Sequence, residues 1–291
     1  MLDKIKGALF GLAIGDALGG TTEFLTSEEI RRKYGKVTEI IGGGVWNLEK
    51  GETTDDTAMT VAVAKGILKD PETPIESIGE EFLKWYATNP KDIGNIIRAV
   101  LSTYSGGSWA TAAEKAHYHY LGGKSAGNGT LMRCLPVALA YRDLEKVEEV
   151  TREQSKMTHY DSLADEACVI YNRVAYHVLH GAGLKEAIQA EIKGTIYEPA
   201  LNGQRPTPPP DGFVVNTMYW VLYWLLNCES FLDVVIGAAN EGYDTDTVAA
   251  IAGGLAGLAY GYKELPRGYC DVLLVKDDLE ELGLNLYELV K

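Results

Sequence analysis

The sequence predicts an all-α fold, and three observations lead there. Apolar residues recur at helical spacing through most of the chain, alternating apolar–polar runs are scarce, and Gly- and Pro-rich breaks punctuate the periodic stretches. A length of 291 residues with 46% hydrophobic and 23% charged residues suits one substantial core and excludes a disordered or collagen-like chain.

The elements follow in chain order. Gly7, Gly11, Gly15 and Gly19 line one helix face, and Gly253, Gly257 and Gly261 repeat the pattern near the other end. Glycine costs about 1 kcal/mol relative to alanine inside a helix, so such stripes imply close helix packing that fixes the helix ends with little play. Residues 36–41 are the best strand candidate and 271–275 the next. Residues 57–69 read as a helix stopped by Asp70-Pro71. Helices of three or four turns are expected over 75–88, 93–104, 109–121, 131–141 and 144–157. A longer one over 161–181 ends at Gly181. Residues 213–227, 230–240 and 246–261 follow, with a last helix over 278–290. Loops are expected from Gly42 to Thr54, over 122–129 and over 202–212, the last stiffened by Pro206, Pro208, Pro209 and Pro210. The third loop resembles a linker. Yet the helices on both sides of it need apolar partners, so residues 1–291 are read as a single compact many-helix domain with long functional loops.

Charge and cysteine usage narrow the function. A formal net charge of −14 argues against nucleic acid or an anionic membrane as the main partner. Cys134, Cys168, Cys228 and Cys270 form no CxxC pair, which fits reduced thiols in a cytoplasmic protein rather than a zinc or disulfide framework. The apolar run from Gly7 to Gly15 is broken by Asp16 and lacks a convincing cleavage site beyond it, so it is not read as a signal peptide. The uncharged stretch over 247–262 is too short for a transmembrane helix, and none is predicted.

Two acidic runs stand out. Thr53-Thr54-Asp55-Asp56-Thr57 and Asp244-Thr245-Asp246-Thr247 each lead into a helix. Either alone suits N-capping, since Asp and Thr are favoured caps and carboxylates suit the positive helix end. A cap needs one oxygen, however, and each run offers two carboxylates with flanking hydroxyls. If the two helix starts meet, this oxygen-only set suits two hard divalent cations, Mg²⁺ or Mn²⁺. The histidines offer no rival centre. His117, His119, His177 and His180 read as aromatic packing, and His159 at a helix boundary is the one of interest. No nucleophile elbow, phosphate-binding Walker loop or dinucleotide fingerprint is present.

At these residues the sequence resembles the ADP-ribosylglycohydrolase family, closest to its bacterial dinitrogenase reductase-activating branch. The matching segments are GALFGLAIGDALGGTTEF at 7–24, IGGG at 41–44, GETTDDTAM at 51–59, PKDIGN at 90–95, GNGTLMRCLPVAL at 127–139, MTH at 157–159 and NEGYDTDTVAAIAGGLAGLAYG at 240–261. They cover nearly the whole chain in the family's order. The resemblance implies an all-α fold with a binuclear metal cleft. It implies metal ligands at Thr54, Asp55, Asp56, Asp244, Asp246 and Thr247, with Glu23 beside the site and Asp92 holding water. Asn95 is placed one helical turn beyond Asp92. Gly127, Asn128, Gly129 and Thr130 correspond to a loop cradling the diphosphate, and His159 to a residue facing ADP-ribose. Glycines and a following helix N-terminus suit such a cradle, and the loop, distant in sequence from both acidic runs, is expected to act without touching the metals. Arg133 is either a phosphate ligand or one half of a structural salt bridge.

The activity implied is hydrolysis at C1″ of an ADP-ribosylated side chain, most directly ADP-ribosyl-arginine, on a protein or a small ADP-ribose conjugate. Asp55 or Asp92 would orient the attacking water, and that network or Glu23 would protonate the leaving group. A nitrogen-regulatory partner follows from the resemblance alone. The alternatives are hydrolysis of serine-linked ADP-ribose or an ADP-ribose ester, and an inactive ADP-ribose-binding regulator. Three positions depart from the family. Tyr243 stands where Gly is common. Phe213 and Asp161 replace a Tyr and a His of the arginine-specific branch, at places where a protein substrate would be gripped.

Overall fold

A computed structural model describes residues 1–291 and contains fifteen α-helices and two short 3-10 segments, with β-pairing limited to three isolated bridges. The first half holds α1 (Leu2–Gly19), α2 (Ser27–Tyr34), α3 (Asp55–Lys69), α4 (Ile75–Ala87), α5 (Asn95–Leu101), α6 (Trp109–His119) and α7 (Leu135–Ala140). The second holds α8 (Leu144–Lys156), α9 (Ser162–Leu179), α10 (Leu184–Ile192), α11 (Val214–Asn227), α12 (Phe231–Ala239), α13 (Thr245–Tyr260), α14 (Arg267–Val272) and α15 (Lys276–Val290).

The two glycine stripes meet, and their meeting positions the acidic runs. Helices α1 and α13 lie antiparallel with backbones nearly in contact. A methyl carbon on Gly11 would sit 2.3 Å from the Gly253 carbonyl oxygen, and one on Gly15 2.0 Å from that of Ala249. At the end of the stripe, Gly19 abuts the backbone of Asp246. Only a residue without a β-carbon permits this approach. Gly261 is not part of the stripe: it caps α13 at φ +85 and faces Asp3.

A single cluster of 73 buried apolar residues runs from Ile5 to Val290 and includes residues on both sides of 202–212, so that loop does not separate two cores. The loop is pinned to α11: Trp220 Nε1 donates to the Pro208 carbonyl at 2.8 Å and Asn216 Nδ2 to that of Pro209 at 2.6 Å.

The structure differs from expectation at several elements. Neither strand forms. Over 36–41, Val37 and Ile40 are buried, but the backbone of Val37 pairs with the Asn240 amide side chain, N–H to Oδ1 and Nδ2 to carbonyl, both at 2.8 Å. One side chain thus replaces a neighbouring strand. Residues 271–275 are the end of α14 and the turn leading to α15, with the Leu274 N–H bonded to the Gly51 carbonyl. The stretch 131–141 is helical only from Leu135, because residues 129–133 form turns on the Asn128 carbonyl. Helix α5 starts at Asn95, so Asp92 lies in the preceding loop and not one turn earlier on the same helix. Helices α2 and α10 were not expected, although Thr26 and Glu29 form a reciprocal capping box and Ala187, Ile188 and Ile192 make a buried face.

Candidate active site

Capping accounts for little of the acidic runs. At α3 the cap is the Thr54 hydroxyl, which accepts from the Asp56 N–H, leaving the Asp55 and Asp56 carboxylates to other contacts. At α13 the N-cap residue Asp244 makes no side-chain cap bond. The two runs meet directly. Asp56 Oδ2 accepts from Thr54 Oγ1 at 3.3 Å on its own run and from Thr247 Oγ1 at 3.4 Å on the other.

Helix α1 holds both runs. Asp16, fully buried, accepts from the Thr54 N–H at 2.9 Å, the Thr57 N–H at 3.0 Å and the Thr57 hydroxyl at 2.5 Å. Thr245 Oγ1 donates to the Gly19 carbonyl at 3.0 Å. Sequence reasoning missed the role of Asp16. The signal was present, since a carboxylate inside a buried glycine-striped helix requires partners.

The runs form the floor of a cleft of about 660 Å³. Glu23, Asp55, Asp92, Asp244, Asp246 and Thr247 line it, while Thr54 and Asp56 lie buried just beneath. Carboxylate oxygens of Glu23, Asp92 and Asp246 come within 4.8 Å of one another. Asp55 Oδ2 accepts from the Gly94 N–H at 3.1 Å, and Glu23 accepts from Trp46 Nε1. Burial first, and then the neighbouring negative charges, raise every carboxylate of the floor. Asp55 is pushed up to about 6, Glu23 to about 8 and Asp92 to about 9. Asp56 and Asp246 rise well above the ordinary range, and Asp244 rises although Asn128 and Thr247 oppose the shift. Asp56 Oδ1 and Asp246 Oδ1 are buried without a hydrogen-bond partner. Crowded carboxylates, unpartnered oxygens and an oxygen-only donor set fit hard divalent cations.

The predicted phosphate loop forms the adjoining wall. Gly127, Asn128 and Gly129 line the cleft. A β-carbon on Gly127 would lie 2.6 Å from Ile96 Cδ1, and one on Gly129 2.9 Å from Ile97 Cδ1, with the His159 ring just beyond, so glycine keeps this wall closely packed. Neither has a positive φ. The Gly129 amide makes no hydrogen bond within the protein. Thr130 is buried behind the loop and its hydroxyl accepts from the Cys168 thiol, so its side chain is not at the cleft. Asn128 departs from expectation: its Nδ2 donates to Asp244 Oδ2 at 2.7 Å and to Thr217 Oγ1 at 2.9 Å, tying the loop to the acidic floor. His159 packs under both glycines, hydrogen-bonded to Thr158, and burial lowers its pKa well below the usual imidazole value.

Arg133 takes neither expected role. It is fully buried, donates to Gln154 and Thr158, and lies over the Phe82 ring, with no carboxylate partner. Arg98 on α5, missed in the sequence, is the one Lys or Arg side chain lining the cleft. Asn95 lies at the same edge. Of the departures from the family, Asp161 caps α9 by accepting from the Leu163 N–H, and Phe213 pairs with Gly127 through a bridge. Tyr243 does line the cleft, in a left-handed conformation at φ 64.

Fold and site together define a helical glycohydrolase with an acidic, metal-suited cleft. Residues 1–291 match the model of the ADP-ribosylglycohydrolase family over their whole length, and the chain belongs to that family. It is 35% identical over 280 residues to the ADP-ribosyl-[dinitrogen reductase] glycohydrolase of Rhodospirillum rubrum, covering 96% of this chain and 92% of the relative. It is 30% identical to an ADP-ribosylarginine hydrolase of Serratia proteamaculans, covering 98% and 79% respectively. A solved structure titled ADP-ribosylglycohydrolase-related protein complex superposes with a TM-score of 0.84 at 30% identity, covering 100% of this chain and 99% of that one. The chain is thus an enzyme of the ADP-ribosylglycohydrolase class. No helix is long and apolar enough to cross a membrane.

Proposed function

We propose that the protein hydrolyses the C1″ glycosidic bond of ADP-ribosyl-arginine in a reaction that depends on two divalent cations, Mg²⁺ or Mn²⁺. The observation that carries this reading is the convergence of two acidic helix starts with Glu23 and Asp92 on one cleft floor, beside a glycine loop with an unpaired amide. Thr54, Asp55, Asp56, Asp244, Asp246 and Thr247 would hold the cations, which when bound offset the buried negative charge and orient ribose hydroxyls and water.

The chain's own groups divide the remaining work. Gly127 and Gly129 let the backbone approach the diphosphate, and Arg98 and Asn95 edge the same region. Asp92 and Asp55 orient a water toward C1″ and take one of its protons. As the C1″–N bond breaks, the cleft carboxylates stabilise the positive charge at the anomeric carbon. The hydroxyl joins C1″ and the proton passes to the departing guanidine nitrogen, yielding ADP-ribose and free arginine. The proton reaches the guanidine through the same Asp55–Asp92 carboxylate–water network, beside which the Glu23 carboxylate lies within 4.8 Å of Asp92. The substrate is an ADP-ribosylated protein or a small conjugate, and the four free cysteines fit a cytoplasmic setting.

The test is release of ADP-ribose from ADP-ribosyl-arginine and ADP-ribosyl-serine peptides, with Mn²⁺ and with chelator. Metal-dependent release from the arginine conjugate is expected. Equal activity in chelator, or cleavage of the serine conjugate alone, contradicts the reading.

A further inference from the structure

Three aromatic side chains stand at the mouth of the cleft with no packing role that explains their position. Phe24 is 61% exposed and Tyr243 41% exposed, and both line the cleft. Trp46, half-buried, presents its ring 6.1 Å from that of Phe24 at 65° and donates its Nε1 proton to Glu23. Phe24 and Tyr243 both have left-handed backbones, at φ 61 and φ 64. For bulky residues this costs on the order of 1–3 kcal/mol each, and such strain persists chiefly where function requires it. Here it is locked in by the tertiary structure: the Phe24 N–H donates to the Tyr243 carbonyl and the Tyr243 N–H to that of Leu25, both at 2.7 Å.

Two of these rings have floor residues as chain neighbours. Phe24 follows Glu23, and Tyr243 precedes Asp244. A substrate with its reacting carbon over the floor therefore places its leaving group, one bond away, against the rim. Adenine lies a diphosphate and a second ribose further on. We infer that Phe24, Trp46 and Tyr243 form the leaving-group subsite and select a planar cation there, an arginine guanidinium in preference to a serine hydroxyl. This rests on the hydrolase reading above. A guanidinium is attracted to ring faces and to carboxylates; the three rings supply the first and Glu23, bonded to Trp46, the second. A neutral hydroxyl gains from neither. The only cationic side chain in the lining, Arg98, is on α5 and not on the rim segments.

The test uses Tyr243→Gly, Tyr243→Phe and Phe24→Gly in the metal-loaded protein. Glycine relieves the left-handed strain, so unfolding does not complicate the result. The ratio of kcat/KM for arginine-linked over serine-linked ADP-ribose should fall about tenfold in Tyr243→Gly and in Phe24→Gly, the scale of one cation–π contact. Tyr243→Phe, which keeps the ring, should retain the ratio. The affinity for free ADP-ribose, which has no leaving group, should be unchanged in all three.

A turnover-independent arm is saturation-transfer NMR of N-methylguanidinium with the metal-loaded, ADP-ribose-bound protein. A signal is expected in wild type and Tyr243→Phe, and its loss in Tyr243→Gly. An unchanged ratio and an unchanged guanidinium signal in Tyr243→Gly overturn the subsite, as does a matching loss of ADP-ribose affinity, which would assign the rings to adenine. Failure of wild type to cleave either linkage would overturn the hydrolase reading, while the guanidinium signal still decides the subsite.

Discussion

Asp56 and Asp246 are buried, and each has one oxygen that nothing in the protein satisfies. Burying acids whose charged form is disfavoured is a burden on the metal-free protein and an asset to metal binding. Asn is nearly isosteric with Asp and caps helices about as well, so the substitution separates the two effects. Asp56→Asn and Asp246→Asn should each raise the melting temperature of the metal-free protein by several degrees while lowering turnover at least about a hundredfold, since even outer-sphere changes at metal sites cost 10–100-fold. Thermal unfolding in chelator alongside ADP-ribose release checks both. Lower stability with wild-type activity would return these residues to a structural role. Asn128 carries a second residue-scale prediction. Because it donates to Asp244, Asn128→Ala should weaken Mn²⁺ affinity as well as ADP-ribose affinity, by about tenfold for the metal. Wild-type metal affinity in that variant would mean the loop acts independently of the floor.

At the scale of elements, α1 is the organiser. Its glycine stripe brings α13 to backbone contact, its Asp16 holds the start of α3, and its C-terminal carbonyl accepts from Thr245. Gly15→Ala is therefore a sharp probe. Alanine is the better helix former by about 1 kcal/mol, yet its methyl would meet the Ala249 backbone, so a net loss of roughly 1–3 kcal/mol is expected by denaturant unfolding, together with weaker metal binding. A stabilised variant would contradict the packing account. These elements also show what a sequence reveals. The stripes, the acidic runs and the glycine loop were legible because each breaks a local rule, with glycine inside helices or carboxylates beyond a cap's need. The 36–41 segment was misread because its partner is one side chain, Asn240, more than two hundred positions away in the chain, which no local pattern encodes. The tie between Asn128 and Asp244 was illegible for the same reason, as it exists only after the chain folds. Helices α2 and α10 carried readable signals in their capping and buried face and were overlooked.

For the whole molecule, the floor links stability to pH and to metal. Each raised carboxylate binds a proton more tightly when folded than unfolded, so its stabilising contribution is complete below the ordinary carboxylate range. It is lost as pH rises through the folded values, about 6 for Asp55, 8 for Glu23 and 9 for Asp92. The metal-free protein should accordingly lose melting temperature between about pH 5 and about pH 9, and saturating Mn²⁺ should recover most of that loss at the alkaline end. A metal-free melting temperature that rises across this range would show that the floor is not the dominant titrating cluster.

The central claim is that the two acidic runs build one binuclear centre. The most direct measurement is a titration of Mn²⁺ into metal-stripped protein, followed by calorimetry and electron paramagnetic resonance and repeated with Asp56→Asn. The account predicts about two ions per chain with the exchange coupling of a close pair, and loss of that coupling in the variant. No Mn²⁺ or Mg²⁺ binding, binding of zinc alone, or two uncoupled ions indifferent to Asp56→Asn would contradict it.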